Sequence, residues 1–514
     1  MRSESVGSLD NGDVEASKLA LNRDEGIAPA DERQLRTSGL WSKVNSQLSV
    51  EGHGVAPLTE EERTDARFLQ CFTLWIGMNG TISAFSTGTL GPLLYGLSFR
   101  DTALCIVFFN IFSCAMPAYF AVFGPRLGMR QMAIARYSYG LLGAILPAFL
   151  NLVTFIGFCA VNAIAAGQVL AAVNPGSISL NVGIVIIAVI SMIISFCGYR
   201  ILHACERWAW IPVIFSFILL AGFGGRHLGA ATAYQPGPAT SANILSWASL
   251  VIGFSLSWCG CSADFNTYMH RSVSSLKIFF YTFAGLYLPC ALIQTLGAAF
   301  AAAAMSGEVL TWETAFNEGS VGGLMAEALK PLHGFGKVLL IIFALGMISN
   351  NAPTVYAFSL SIQVVFPFLA ALPRFLFPVV ATAIYLPIAI VGATHFASAL
   401  SNFLGLIGYW SSIFAAVFLT EHFVFRRNSF GAYHIPSWNS IKSLPPGIAA
   451  LFSSFCGVAM VVLGMDQVWW RGPIAKLIGG EDEYGGDVAI WLGMAVAALV
   501  YLPTRLAERK VFGR

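Results

Sequence analysis

From Ala66 onward the chain alternates long apolar windows with short polar connectors. A helix rises 1.5 Å per residue, so about 20 apolar residues cross a hydrocarbon core of about 30 Å. Twelve windows approach or exceed that length: 69–97, 101–123, 140–173, 181–199, 208–226, 243–264, 277–304, 335–366, 374–392, 396–424, 446–465 and 487–506. The longer ones predict tilt, interruption or extension beyond the bilayer. The pattern specifies an all-α polytopic membrane protein of about twelve transmembrane helices.

Composition agrees. Hydrophobic residues make up 56% of the 514 and charged residues only 11%. Mean hydropathy is +0.69. A soluble domain carries about 25% charged residues, so a soluble enzyme and a nucleic-acid-binding domain are both excluded. The formal net charge of +2 implies no polyanionic partner. Residues 1–66 are polar, hold thirteen of the 27 acidic residues, and show no apolar signal segment after Met1. They are expected to form a flexible cytoplasmic tail. The cysteines fall within apolar segments without a CxxC pair, as small hydrophobes do.

Basic residues orient the chain. With the tail inside, the inner connectors and C-terminus carry fifteen Lys and Arg, among them Arg126, Arg130, Arg271, Arg426 and Arg505. The outer connectors carry six: Arg100, Arg226, Lys330, Lys337, Arg471 and Lys476. This bias places both termini in the cytoplasm, which requires an even number of spans.

Two spans carry helix-breaking residues. The first reads LWIGMNGTISAFSTGTLGP, which holds Gly77, Asn79 and Gly80 and, as the expected break, Gly88, Gly91 and Pro92. The sixth reads GFSLSWCGCSADF, with its break at Gly260. Irregular backbone at membrane depth survives only when buried or lining a cavity. Interrupted segments at matching places in two halves mark the binding site of inverted-repeat transporters, although small residues can equally serve close helix packing. First and sixth fit a five-plus-five repeat followed by two further helices.

Other polar residues lie at membrane depth. Phe158 and Asn162 share a face of the third span, an aromatic plate beside an amide, which suits a flat heteroaromatic ligand. In the eighth span Asn350, Asn351 and Thr354 surround Pro353, a further expected helix break. Glu206, beside Arg207 and His203, and Asp264, at the end of the sixth span, are candidate coupling or gating residues. A membrane enzyme would need clustered carboxylates, a nucleophile with a base, or paired histidines; the sequence has none of these, no metal site and no cofactor motif.

The segments FSTGTLGP, VNAIAAGQ, GYRILHACERWAWIP, W-x-x-x-SADF and NNAPTVYAFSLSIQ together resemble the nucleobase–cation symporter family, in its fungal purine–cytosine permease branch. The resemblance runs from about residue 69 to 506. It implies a LeuT-type 5+5 inverted repeat with two C-terminal helices: a transport core over 67–424, two additional helices over 425–506, and a short cytoplasmic C-terminus, 507–514. It also implies import of a small heteroaromatic solute, of purine or cytosine type, with a proton or sodium ion by alternating access, usually at the plasma membrane. The alternatives are the same scaffold carrying a vitamin or secondary metabolite, and a non-transporting receptor. Position by position, Trp258 would stack on the base, Asn162 would be a pocket amide, and Asn350, Asn351 and Pro353 would form the eighth-span motif. Glu206 would be an acidic residue important for transport, and Ser83 and Ser86 fall near the substrate-contacting serine. Phe158 stands in place of a Trp and Thr354 in place of an Asn, which predicts weaker reading of cytosine, adenine or hypoxanthine.

Overall fold

The computed structural model describes residues 54–196, 208–372, 376–479 and 485–514. Among these, the only strands form a two-stranded hairpin, Asp466–Gln467 with Trp470–Arg471. All twelve expected spans are represented by helices. The first is split into Leu69–Asn79 and Ile82–Tyr95. The second is Phe99–Ala121, the third Ile145–Val173, the fourth Leu180–Phe196 and the fifth Trp210–Gly224. The sixth, Ser241–Leu256, tightens into a 3-10 turn at Ser257–Gly260. The seventh is Ser275–Met305, and the eighth is divided into Gly334–Gly346 and Ile348–Val365. Leu376–Gly392, Phe396–Thr420, Ile448–Gly464 and Ala489–Phe512 complete the set.

Two of the expected breaks fall inside helices. Gly88, Gly91 and Pro92 lie inside the helix Ile82–Tyr95; the chain leaves helical geometry at Gly80 (ψ 60°) and at Thr81, which is extended (φ −132°, ψ 166°). Gly88 serves packing instead: a Cβ there would stand 1.8 Å from the carbonyl oxygen of Gln294 on the seventh span. At Gly91 a Cβ would stand 2.4 Å from Thr102. Pro353 likewise sits within the helix Ile348–Val365; at Met347, where the eighth span is divided, the backbone stays helical (φ −64°, ψ −21°). Gly260 falls where expected, just before the non-helical Cys261 (φ −144°, ψ 2°).

Three further features differ from the sequence reading. Residues 54–66, assigned to the tail, pack against the body: the Leu58 amide donates to the Gly128 carbonyl, and buried Arg63 donates to Pro125 O at 2.8 Å. A helix absent from the expected set, Leu310–Leu329, joins the seventh and eighth spans, kinked at Ser320 (φ 50°). The last span starts at Ala489, which leaves Asp487 in the preceding connector. Glu206, Arg207 and His203 lie outside the described residues.

The packing at Gly88 generates a test. A hinge glycine replaced by Ala would gain about 0.5–1 kcal/mol of helix stability. Because the added Cβ meets backbone, Gly88→Ala is instead expected to destabilise by about 1–3 kcal/mol. A lower unfolding temperature of the detergent-purified variant checks this; a higher one contradicts it.

Candidate functional site

The break at Gly80–Thr81 frees backbone carbonyls at membrane depth, where water cannot serve them. The eighth span supplies the donors. Asn350 Nδ2 donates to Met78 O, and Ser349 Oγ lies 3.0 Å from Gly77 O, sharing its one proton with Gly346 O of its own helix at 2.6 Å. The sixth-span break is capped in the same way: Ser262 Oγ donates to Trp258 O at 2.7 Å, and Asn151 Nδ2 of the third span to Gly260 O at 3.0 Å. Asn151 also donates to Ser361 Oγ at 3.1 Å.

Asn162 joins these pieces. Its carbonyl oxygen accepts from Ser83 Oγ at 2.6 Å. Its amide nitrogen donates to Asn350 Oδ1 at 2.8 Å and Asn351 Oδ1 at 2.9 Å. Asn351 Nδ2 reaches Ser191 Oγ of the fourth span at 3.4 Å. The first, third, fourth and eighth spans therefore meet in one buried amide network. Although Asn350 and Asn351 are adjacent in sequence, both side-chain oxygens converge on Asn162. The Thr354 hydroxyl turns back onto its own helix, donating to Asn350 O at 2.7 Å and lying 3.3 Å from Asn350 Oδ1.

Beside the network stands an aromatic stack. Phe158 and Trp258 are nearly parallel, with ring centroids 5.0 Å apart and planes 7° from one another. Trp258 Nε1 donates to Asn79 Oδ1 at 3.1 Å, and Trp75 packs its edge against Trp258. Phe403 of the tenth span closes edge-on over Phe158 at 5.1 Å. A flat ligand between two plates needs about 7 Å, two contacts of about 3.5 Å. The two rings instead touch each other, so the expected sandwich requires them to part.

Three buried polar atoms of the first span have no partner among the described residues: Trp75 Nε1, Thr81 Oγ1 and Ser86 Oγ. Each unpaired group costs about 1–3 kcal/mol. Asp264 belongs to a different contact: its Oδ1 accepts from the Gln131 amide at 2.6 Å, and its carbonyl accepts from Arg130, which lies over the rings of Tyr268 and Tyr356. That ties the end of the sixth span to the connector between the second and third. Sequence reasoning did not single out Asn79, Thr81, Asn151, Ser191 or Ser349 as site residues. The visible signal for Asn79 and Thr81 was the Asn-Gly-Thr step inside an apolar window.

Two interrupted helices, their exposed backbone capped by amides and hydroxyls of neighbouring spans around an aromatic pair, define a secondary transporter of the broken-helix class. Residues 57–476 match the family described as permease for cytosine/purines, uracil, thiamine, allantoin. The chain is 38% identical to the purine-cytosine permease FCY21 of Saccharomyces cerevisiae, covering 92% of this chain and 89% of that one. It is 35% identical to the purine-cytosine permease fcyB of Emericella nidulans, covering 96% of each. The vitamin B6 transporter TPN1 of Saccharomyces cerevisiae is 32% identical, over 95% of this chain and 92% of that one. The protein belongs to this cytosine/purine permease family. Its fold is that of Mhp1, a nucleobase-cation-symport-1 family transporter: the closed conformation with bromovinylhydantoin bound aligns with a TM-score of 0.65 over 89% of this chain and 96% of that one, at 14% identity. The inward-facing conformation of Mhp1 aligns with a TM-score of 0.66, at 15% identity, over 90% and 96%.

The network makes a prediction about Asn162. Asn162→Ala leaves Ser83, Asn350 and Asn351 short of a partner and should destabilise the protein by about 1–3 kcal/mol, besides weakening ligand binding. A lowered unfolding temperature in the absence of ligand checks the first part. An unchanged temperature with impaired transport would confine Asn162 to ligand contact.

Proposed function

We propose that the protein imports a purine- or cytosine-type nucleobase in symport with a proton, by alternating access, in the plasma membrane with both termini cytoplasmic. The observation that carries this reading is the Phe158–Trp258 stack set against the Asn162–Asn350–Asn351 amides. A nucleobase offers a flat π-face to the rings and a donor–acceptor edge to the amides. Entry would separate the rings, with Phe403 moving off Phe158, and would exchange amide–amide bonds for amide–base bonds. The unpaired Ser86 and Thr81 hydroxyls are further contacts for the base. The excess of Lys and Arg on the connectors of the tail side supports the orientation. Asp264 is well placed to gate the inner face, because its movement would release the connector between the second and third spans.

The purine-cytosine permease relatives favour a nucleobase over the vitamin reading, which has the 32% identical vitamin B6 transporter on its side. Thr354 spends its hydroxyl on Asn350, so it adds little to a base edge. The amides and the stack then carry recognition.

Uptake of radiolabelled cytosine and hypoxanthine in cells lacking their own carriers tests the proposal. Wild type should accumulate label saturably, and more at acid pH. Trp258→Ala should lower kcat/KM by about 5- to 150-fold, since a base–aromatic stack is worth about 1–3 kcal/mol. Uptake gained only in Thr354→Asn would assign the wild type to another heterocycle. Binding without accumulation would make it a receptor.

A further inference from the structure

The connector between the eleventh and twelfth spans carries a buried carboxylate outside the amide site. Asp487 is 1% exposed. It caps the last span, its Oδ1 accepting from the Ala489 amide at 3.0 Å. The Ser249 hydroxyl of the sixth span is shared between the Asp487 carbonyl at 3.1 Å and the same oxygen at 3.3 Å, and Oδ2 accepts from the Asp466 amide at 3.2 Å. The decisive contact is with the tenth span: the Tyr409 hydroxyl donates to Asp487 Oδ2 and itself accepts from Gln467 Nε2 at 2.6 Å. Ser246, a turn before Ser249, accepts from the Asp487 amide at 3.0 Å.

These bonds hold together the two spans that cover the aromatic stack. Trp258 belongs to the sixth span, and Phe403 of the tenth lies over Phe158. Between the two spans the backbones are in contact: a Cβ on Gly253 would stand 2.2 Å from Leu404 O, and one on Gly408 would stand 2.9 Å from Gly253 Cα. Tyr409 follows Gly408 directly, so its bond to Asp487 clamps this seam. At the outer end of the same span, Ser401 Oγ lies 3.2 Å from the Tyr95 hydroxyl of the first.

We propose that Asp487 is the anchor of a latch that closes the face of the transporter opposite the termini, fastening the tenth span to the sixth through Tyr409. Opening this face for a ligand would require Tyr409 to leave Asp487 and expose the carboxylate to water.

The latch is pH-sensitive, with a definite sign. The titratable and charged groups around Asp487 are Tyr409 on the tenth span, and Asp466 with its Arg471 partner, 3.7 Å away, on the hairpin. The sixth span contributes only the hydroxyls of Ser246 and Ser249. Among the described residues no cation forms an ion pair with Asp487, and burial raises its carboxyl to about 6. Hydrated in an open state, it would return to an ordinary value near 4. The proton therefore binds more tightly to the closed state. Closure is favoured below about pH 6 and loses ground as pH rises through that value.

Thiol labelling tests this without reference to the substrate. Leu400, buried one turn before Leu404, is replaced by Cys, and its reaction with a membrane-impermeant maleimide is followed at pH 7.5 and pH 5, the parent protein supplying the background. Because maleimide attacks the thiolate, each rate is divided by that of a solvent-exposed reference cysteine at the same pH; the normalised rate should fall about tenfold on going to pH 5. Asp487→Asn, which cannot titrate, should lose this pH response. Tyr409→Phe should label faster than its Tyr409 parent at both. A pH response in Asp487→Asn equal to that of the parent, or parental labelling rates in Tyr409→Phe, would overturn the latch. Should Asp487→Asn fail to reach the surface, Tyr409→Phe carries the test alone. The comparison repeated in permeabilised cells reads the latch whichever way the chain is inserted.

Discussion

A helix cannot break inside a membrane unless something else satisfies its backbone, and that constraint organises this transporter. The first span opens at Gly80–Thr81, and the eighth answers with Asn350 on Met78 O and the Ser349 hydroxyl beside Gly77 O. The sixth opens at Cys261, and Ser262 and Asn151 answer. Asn162 then fixes the side chains of Ser83, Asn350 and Asn351 relative to one another. Remove the caps and the breaks become too costly to keep.

In the proposed function the same economy couples binding to movement. The groups able to recognise a base are already engaged with each other, and Phe158 fills the space over Trp258. A ligand must displace these internal contacts, so its affinity is the difference between the bonds it makes and those it breaks. That difference is what can shift a two-state equilibrium. The tenth span covers Phe158 with Phe403 and packs on the sixth at Gly253–Gly408.

Much of the architecture was legible because apolar length and charge bias are properties of the sequence itself. The positions of the breaks were less so. Gly88 and Gly91 looked like hinges but are contact points, because glycine serves both close packing and irregular backbone and the sequence does not say which. Pro353 looked like a break, yet it sits inside the helix Ile348–Val365. The residues Trp258, Phe158, Asn162, Asn350 and Asn351 were found from the resemblance and from their polarity at depth. Their mutual contacts were not foreseeable, since a sandwich and a collapsed stack use the same side chains. Asp487 escaped notice at the edge of an expected span, where a lone Asp reads as a helix cap; its burial depends on Tyr409, 78 residues earlier.

The central claim is that the Phe158–Trp258 stack is the place a nucleobase enters. A structure of the protein with cytosine bound tests it most directly. The base should lie between the two rings, their centroids moved from 5.0 Å to about 7 Å apart, with its edge on the amides of Asn162 and its eighth-span neighbours. A base bound elsewhere, with the two rings still in contact, would contradict it.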